Sequence, residues 1–163
     1  MKLSLAITIS DDAWREESGI STATRRAIRA CVKETGHDSD GPVEISILLC
    51  GDPEIKKLNR TWRGIDKATN VLSFPSSFPG VEGLLGDIAI SHQTLRREVR
   101  RSGNTFLEHY LHMVVHGFLH LAGFDHEDDD QADIMEAREK KILAGLGVRD
   151  PYAPRRRSMA KVK

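Results

Sequence analysis

The chain has little cysteine, no long apolar run and no excess of charge of either sign. Only Cys31 and Cys50 are present, without a metal-binding or redox spacing, which predicts buried thiols in a reducing compartment. No segment approaches the ~20 apolar residues of a membrane span, and the N-terminal residues lack the apolar core of a signal peptide. Lys plus Arg and Asp plus Glu number 24 each, so the net charge is zero. These absences argue against a disulfide-rich secreted protein, a membrane protein and a globally basic nucleic-acid binder, and predict a cytoplasmic protein.

What is present fits an ordinary globular domain. The 163 residues are 39% hydrophobic and 29% charged, which is enough apolar surface for a core and too little charge for disorder. No internal repeat or linker interrupts residues 1–150. We therefore expect a single domain over residues 1–150, followed by a basic, flexible tail at 151–163.

The positive charges are concentrated in three segments although the net charge is zero. They lie at residues 56–67, 96–101 and 155–163. Each segment alone is most simply a solvated face, but three separate segments are compatible with an anionic partner.

Hydrophobic periodicity and helix-end signals predict four strands and five helices. The strands are predicted at 3–9, 43–50, 69–74 and 84–91. The helices are predicted at 22–35, after an N-cap at Asp52, at 91–102, at 105–122 with a capping box of Thr105 and Glu108, and after an N-cap at Asp129 or Asp130. This order predicts an α+β fold in which helices pack on a small mixed β-sheet.

Five of the seven histidines lie between residues 109 and 126. His116 and His120 are four residues apart, so they project from the same side of the helix at 105–122, opposite its apolar side. Gly123 turns the chain, so that His126 can return to the same point. A lone histidine is usually structural, but three converging neutral imidazoles with an open fourth position are typical of a catalytic zinc site. Copper and nickel are also compatible with this donor set.

The residues around the three histidines leave alternative interpretations open. The spacing is similar to the His-Glu-x-x-His motif of zincin peptidases, but Gly117 replaces the glutamate that acts as their general base, so peptidase activity is the weaker reading. His109 and His112 either support the metal ligands or lie on the solvated surface, and we expect the surface. Asp125 either takes part directly or forms the turn that orients His126.

Three blocks of the sequence resemble the YbeY family of bacterial endoribonucleases. Residues 113–126, MVVHGFLHLAGFDH, resemble the family signature His-Gly-x-Leu-His-Leu-x-Gly-Tyr-Asp-His. The blocks LNRTWRGIDKATNVLSFP at 58–75 and LGDIAI at 85–90 are similar to two further family blocks. The resemblance extends from about residue 43 to Tyr152. It departs from the family at Ala68, where many members have proline, and at Phe124, where many have tyrosine.

The resemblance implies a zincin-like α+β domain with a central histidine-bearing helix. It further implies a zinc-dependent endoribonuclease that cleaves single-stranded RNA in 16S rRNA 3′-end maturation and ribosome quality control. One Zn²⁺ per chain would be held by His116, His120 and His126. The implied partners are the small ribosomal subunit, a small-subunit ribosomal protein and the GTPase Era.

Arg63 is the functionally important arginine that the resemblance implies, and with His116 it forms the predicted catalytic pair. Its planar guanidinium is suited to a phosphodiester. We expect the RNA backbone to contact the basic segment around it, at Lys56, Lys57, Arg60 and Lys67. The attacking group, water or the ribose 2′-OH, and the general acid remain open. The alternative function is a non-catalytic ribosome-assembly factor with a structural zinc, although structural sites usually have four protein ligands.

Overall fold

The computed structural model describes residues 2–37, 41–76 and 83–153. Its strands are β1 Leu3–Ile9, β2 Val43–Cys50, β3 Val71–Pro75 and β4 Leu84–Ser91. Its α-helices are α1 Ile20–Glu34, α2 Asp52–Arg63, α3 His92–Ser102, α4 Phe106–Leu121 and α5 Asp129–Gly145, with a short 3-10 helix at Asp12–Glu16. The predicted α+β class and the predicted order of these elements are confirmed.

The four strands form one mixed sheet in the order β1-β2-β4-β3. β1, β2 and β4 run parallel, and β3 pairs antiparallel with β4 at the edge. Alternate residues of the central strand β2, Ile45, Ile47 and Leu49, are completely or almost completely buried on one face of the sheet. We call this face the inner face. It packs against α1 and α4, and α5 packs beyond them.

Within residues 2–37, 41–76 and 83–153, the outer face of the sheet is covered only in part. Ile55 of α2 packs there against Cys50, Leu72 and Ala89 in a small second cluster. Since α2 is 12 residues long, or about 18 Å, it covers one region of this face. Thr8, Ser46 and Asp87 lie outside that cluster, and together with side chains of α2 they line an open cleft.

α4 approaches the sheet closely at Gly117. A Cβ atom at this residue would lie 3.1 Å from Cγ2 of Ile88 and 3.2 Å from Oγ of Ser73. The Ser73 hydroxyl also donates a hydrogen bond to the Gly117 carbonyl, at 3.0 Å. The position that carries the general base in zincin peptidases therefore faces the sheet in this protein, where even a Cβ atom would be in tight contact.

The start of α4 agrees with the prediction, whereas the N-caps of α5 and α2 differ from it by one residue. The capping box of Thr105 and Glu108 is present at the start of α4. α5 is capped by Asp128, one residue before the predicted range, because any member of this run of acids can provide the cap. Gly51 rather than Asp52 precedes α2, and the Asp52 carboxylate instead accepts hydrogen bonds from α3 and its N-cap.

Two predicted segments fall largely outside the described residues. The described residues do not include Pro79 and Gly80, which belong to the loop predicted between the strands at 69–74 and 84–91. They also do not include residues 154–163 of the predicted tail. The division into a domain at 1–150 and a flexible tail stays a prediction. None of the helices in the described ranges combines the length and the apolarity that crossing a bilayer requires.

Candidate metal centre

α4 and the turn that follows it bring three histidines together. Nε2 of His116 lies 3.1 Å from Nε2 of His120. The His126 ring centroid is 5.0 Å from that of His120 and 5.8 Å from that of His116. One ring nitrogen from each lies within 4.8 Å of the others, so that these residues could hold a metal ion.

The turn after α4 depends on Gly123 and Asp125. Gly123 has a φ of +99°, a conformation that residues with a Cβ rarely adopt. Asp125 Oδ1 accepts a hydrogen bond of 2.8 Å from the backbone N–H of His126. Of the two readings for Asp125, this contact favours the turn that orients His126.

His116 is oriented from behind by Glu139 of α5. Its Nδ1 lies 2.6 Å from Oε2 of Glu139, and the Glu139 side chain is completely buried. An ionised carboxylate can only accept a hydrogen bond, so Nδ1 carries a proton; in the neutral imidazole this leaves the lone pair on Nε2, which faces the histidine cluster. The sequence motifs did not predict a role for Glu139.

Glu139 is the centre of a buried polar network. The Tyr152 hydroxyl donates to its Oε1, and His112 Nε2 lies 3.4 Å from its Oε2. Burial alone raises the pKa of the Glu139 carboxyl, but the hydrogen bonds from His112, His116 and Tyr152 outweigh burial and lower the pKa to about 2. Glu139 is therefore ionised at neutral pH. Tyr152 lies in the predicted tail, yet it completes this network.

The surface placement expected for His109 and His112 was wrong. Both side chains are only 13% exposed. His109 Nε2 lies 2.7 Å from Glu98 Oε1, and His112 contacts Glu139. A helix face that is polar in sequence is buried here because α3 and α5 provide carboxylates opposite it.

His112, His116 and Glu139 form a second group whose ligand atoms lie close enough to hold a metal. Both Glu139 oxygens already accept hydrogen bonds in a buried position. The group of His116, His120 and His126 instead opens into a cavity of about 610 Å³. This open group is the better candidate for a site of reaction.

The environment of His120 favours its neutral, metal-binding form. Burial lowers the pKa of its imidazole, and a positive charge on His116 or His126 would lower it further. Two imidazole Nε2 atoms that face each other at 3.1 Å require a proton or a cation between them. A donor set of neutral imidazoles fits zinc.

Arg63 lines the same cavity as the three histidines. It is the last residue of α2, and its guanidinium donates to the Ser73 carbonyl and lies 5.6 Å from the centroid of the Phe74 ring. Within residues 2–37, 41–76 and 83–153, no ion pair involves Arg63. Its charge is therefore available to an anion in the cavity.

The other basic residues predicted to contact RNA do not line this cavity. Lys56, Lys57 and Lys67 are exposed, and no ion pair within the described part of the chain involves them. Arg60 pairs with Asp66 at 3.8 Å, with both side chains more than half exposed. These residues lie on α2 and in the loop that follows it, outside the metal centre.

The second basic segment is partly neutralised within the fold. Arg96 lies 2.5 Å from the Glu17 carboxylate, and Arg97 lies 2.8 Å from that of Asp52. His92 Nε2 also contacts Glu17, at 2.7 Å. At least these two arginines have structural partners, which weakens the case for this segment as an RNA surface.

Glu17→Gln tests that structural role. Burial raises the pKa of Glu17, but hydrogen bonds from Arg96 and His92 outweigh burial and lower it below the ordinary value of 4.5. The carboxylate therefore stabilises the fold above pH 4.5, and this contribution is lost as the pH falls through the lowered pKa. We expect a loss of about 1.5–3 kcal/mol in the free energy of unfolding at pH 7. Urea denaturation measures it.

The matched control for this prediction is Glu16→Gln, since the neighbouring Glu16 is exposed. We expect little change from this substitution. The difference in the free energy of unfolding between the two variants should shrink at acidic pH. An equal difference at pH 7 and pH 3 would contradict the prediction.

The sequence comparisons agree with this geometry. The family model described as Endoribonuclease YbeY matches residues 8–147, which contain Arg63 and all three clustered histidines. The chain belongs to the YbeY family. It is 46% identical to Endoribonuclease YbeY of Rhodopseudomonas palustris strain HaA2, over 90% of this chain and 80% of that protein. It is also 46% identical to Endoribonuclease YbeY of Bradyrhizobium sp. strain BTAi1, over 93% of each chain.

A solved structure shares the fold. The solution structure of TM1509 from Thermotoga maritima matches with a TM-score of 0.58 and 24% identity, over 93% of this chain and 97% of that one. This match supports the fold alone, whereas the family model and the two relatives confirm the predictions of a YbeY-family chain and of an RNA-cleaving enzyme.

Of the two residues that the sequence motifs did not predict, Glu139 and Tyr152, only Glu139 has a detectable signal in the sequence. Glu139 occupies a position of the apolar stripe of α5, between the buried Met135 and Ile142. A carboxylate at a core position of an amphipathic helix indicates a buried partner that is positively charged or that donates a hydrogen bond. No corresponding sequence signal points to Tyr152 as that partner.

Proposed function

We propose that this YbeY-family enzyme is a zinc-dependent endoribonuclease specific for single-stranded RNA. His116, His120 and His126 would hold one Zn²⁺ per chain. The observation that carries the proposal is the convergence of three imidazoles on a cavity that also contains Arg63. Three protein ligands leave a fourth position for water or substrate, which is the arrangement of catalytic zinc sites.

The chain's own residues prepare this site. Bound zinc would supply a Lewis acid for the scissile phosphate and lower the pKa of a bound water. Glu139 keeps the His116 proton on Nδ1, so that Nε2 faces the metal position. The Ser73 carbonyl and the Phe74 ring hold the Arg63 guanidinium in place, and its remaining N–H groups can bind phosphate oxygens and stabilise the charge that develops on them.

The shape of the site supports the proposed preference for single strands. The scissile phosphate must enter a cavity lined by both β3 and the turn after α4. An unpaired strand can bend to bring one phosphate there, whereas a duplex is stiff. Lys56, Lys57, Arg60 and Lys67 would bind neighbouring phosphates and provide salt-dependent affinity.

The proposal extends to the cellular role that the family resemblance implies. The enzyme would process the 3′ end of 16S rRNA on the small ribosomal subunit in the cytoplasm, with a small-subunit ribosomal protein and the GTPase Era as partners. Two buried cysteines without a disulfide support a reducing compartment. Membership in an endoribonuclease family disfavours the alternative, a non-catalytic assembly factor with a structural zinc.

Metal content and substrate preference test the proposal. We expect one zinc per chain in the purified enzyme, loss of RNA cleavage after chelation, and recovery with Zn²⁺. His120→Ala should lose the metal, whereas His37→Ala should retain it, because His37 lies outside the cluster and pairs with Thr35. Cleavage of a labelled single strand should exceed cleavage of the same sequence in a duplex.

Two results would contradict parts of this proposal. Full cleavage by the metal-free enzyme would remove the role of zinc, and equal cleavage of duplex and single strand would remove the specificity. Analysis of the product ends decides the open question of the nucleophile, since a 2′,3′-cyclic phosphate requires attack by the ribose 2′-OH.

A further inference from the structure

A second cleft lies on the outer face of the sheet. It adjoins the cavity into which His116, His120 and His126 open, which we call the metal cavity. We call the second cleft the outer cleft. It has a volume of about 810 Å³, and Arg63 and Pro75 line both it and the metal cavity. Its apolar part includes side chains from α2 and from three strands: Leu48, Leu58, Trp62, Phe74 and Ala89. Arg63 is therefore in reach of ligands in either cavity.

The lining of the outer cleft fits nucleobases better than phosphates. Trp62 and Phe74 offer aromatic faces, and the hydroxyls of Ser46 and Thr8 provide hydrogen-bonding groups. The carboxylate of Asp87, an exposed residue in the same cleft, would repel a phosphate but accept a hydrogen bond from a base amino group. Apolar walls with a few polar groups are typical of sites for small planar ligands.

We propose that the outer cleft binds the unpaired bases of the RNA next to the scissile phosphate, with Trp62 stacking on a base. The inference rests on the proposed binding of single-stranded RNA at the metal centre. Trp62 is 68% exposed, although a large aromatic side chain is normally buried. Base stacking on such a side chain tolerates any sequence, because every base has an aromatic face.

The charges of α2 favour a polyanion over a protein partner. α2 carries exposed Lys56, Lys57 and Arg60 on the helix that also provides Leu58 and Trp62. These cations do not line the outer cleft, so they would attract an RNA strand from a distance. Arg63 and Pro75 line both the cleft and the cavity in which we propose that RNA is cut. A strand whose phosphate lies at Arg63 would place its bases at the apolar wall.

The two tryptophans of the chain allow a direct test of the outer cleft. Trp14 is 1% exposed and packed in the core, so only Trp62 can respond to a ligand at the surface. We expect a short oligoadenylate to quench the Trp62 emission of the zinc-loaded enzyme. An abasic oligonucleotide of the same length has the same phosphates without bases, and we expect it to leave the emission largely unchanged.

Substitution provides a second readout. Trp62→Ala should raise the KM for oligoribonucleotide cleavage about 5- to 150-fold, the usual effect of removing one stacking side chain. Trp62→Phe should recover most of the affinity because it keeps an aromatic face. The control is Ile65→Ala, since Ile65 is 49% exposed and follows Arg63 in the chain but does not line the outer cleft.

The outcomes separate this inference from the proposed function. Cleavage by the parent enzyme without any change in Trp62 emission would overturn the inference and leave the proposed function intact. Base-dependent quenching in a parent that cleaves no RNA would support the outer cleft and contradict the proposed function. Unchanged KM in Trp62→Ala, together with loss of self-association in sedimentation, would overturn the inference in favour of a protein interface.

Discussion

Replacing Arg63 by alanine is expected to lower kcat for RNA cleavage by about 100- to 1000-fold, the usual effect of removing one donor to a developing oxyanion. The guanidinium lines the metal cavity and has no carboxylate partner among the described residues. Its contacts with Ser73 and Phe74 fix its position but do not neutralise its charge. Single-turnover cleavage of a labelled single-stranded RNA measures the effect.

The metal site and the fold should survive this substitution. Arg63 is exposed at the end of α2, so we expect unchanged zinc content and a similar thermal midpoint. Arg63→Lys should recover only part of the activity, because an ammonium group cannot form the same paired hydrogen bonds with a phosphate.

Arg60→Ala is the matched control for Arg63. Arg60 lies on the same helix, is exposed and pairs only weakly with Asp66, but it does not line the cavity. We expect a small increase in KM that depends on salt concentration, with kcat preserved. Equal losses of kcat in Arg60→Ala and Arg63→Ala would contradict a specific role for Arg63 in the reaction.

Glu139→Gln is expected to weaken zinc binding by about 10- to 100-fold, the usual effect of losing a carboxylate behind a histidine ligand. The substitution keeps the shape of the side chain but removes its charge. An amide can still accept from His116 Nδ1, but its NH₂ group must then face the Tyr152 hydroxyl, which donates to Oε1 in the parent. Competition with a chromogenic chelator measures the zinc affinity directly, without recourse to RNA cleavage.

Tyr152→Phe provides a milder companion to this variant. It removes one donor to Glu139 and leaves the contact between Glu139 and His116 in place. We expect a smaller loss of zinc affinity and a folded protein, even if Glu139→Gln is too unstable to purify. Zinc binding as tight as in the parent in a folded Glu139→Gln protein would contradict the positioning role of Glu139.

The sequence by itself determined the secondary structure and the residues that meet at the metal centre. Both follow from interactions over short distances along the chain. The alternation in β1 and β2 and the capping box of α4 are local patterns. The spacing of His116 and His120 fixes their common direction on one helix, and Gly123 permits the turn that returns His126.

The three-dimensional packing decided everything that depends on residues distant in sequence. Glu139 lies 23 residues after His116 in the chain and reaches it only because α5 packs against α4. His109 and His112 are largely shielded from solvent because carboxylates from two other helices lie opposite them. In the part of the chain that the structure describes, the outer cleft lies where the short helix α2 leaves part of one sheet face uncovered. Local periodicity contains no information about such contacts, since they depend on how helices and strands pack after they have formed.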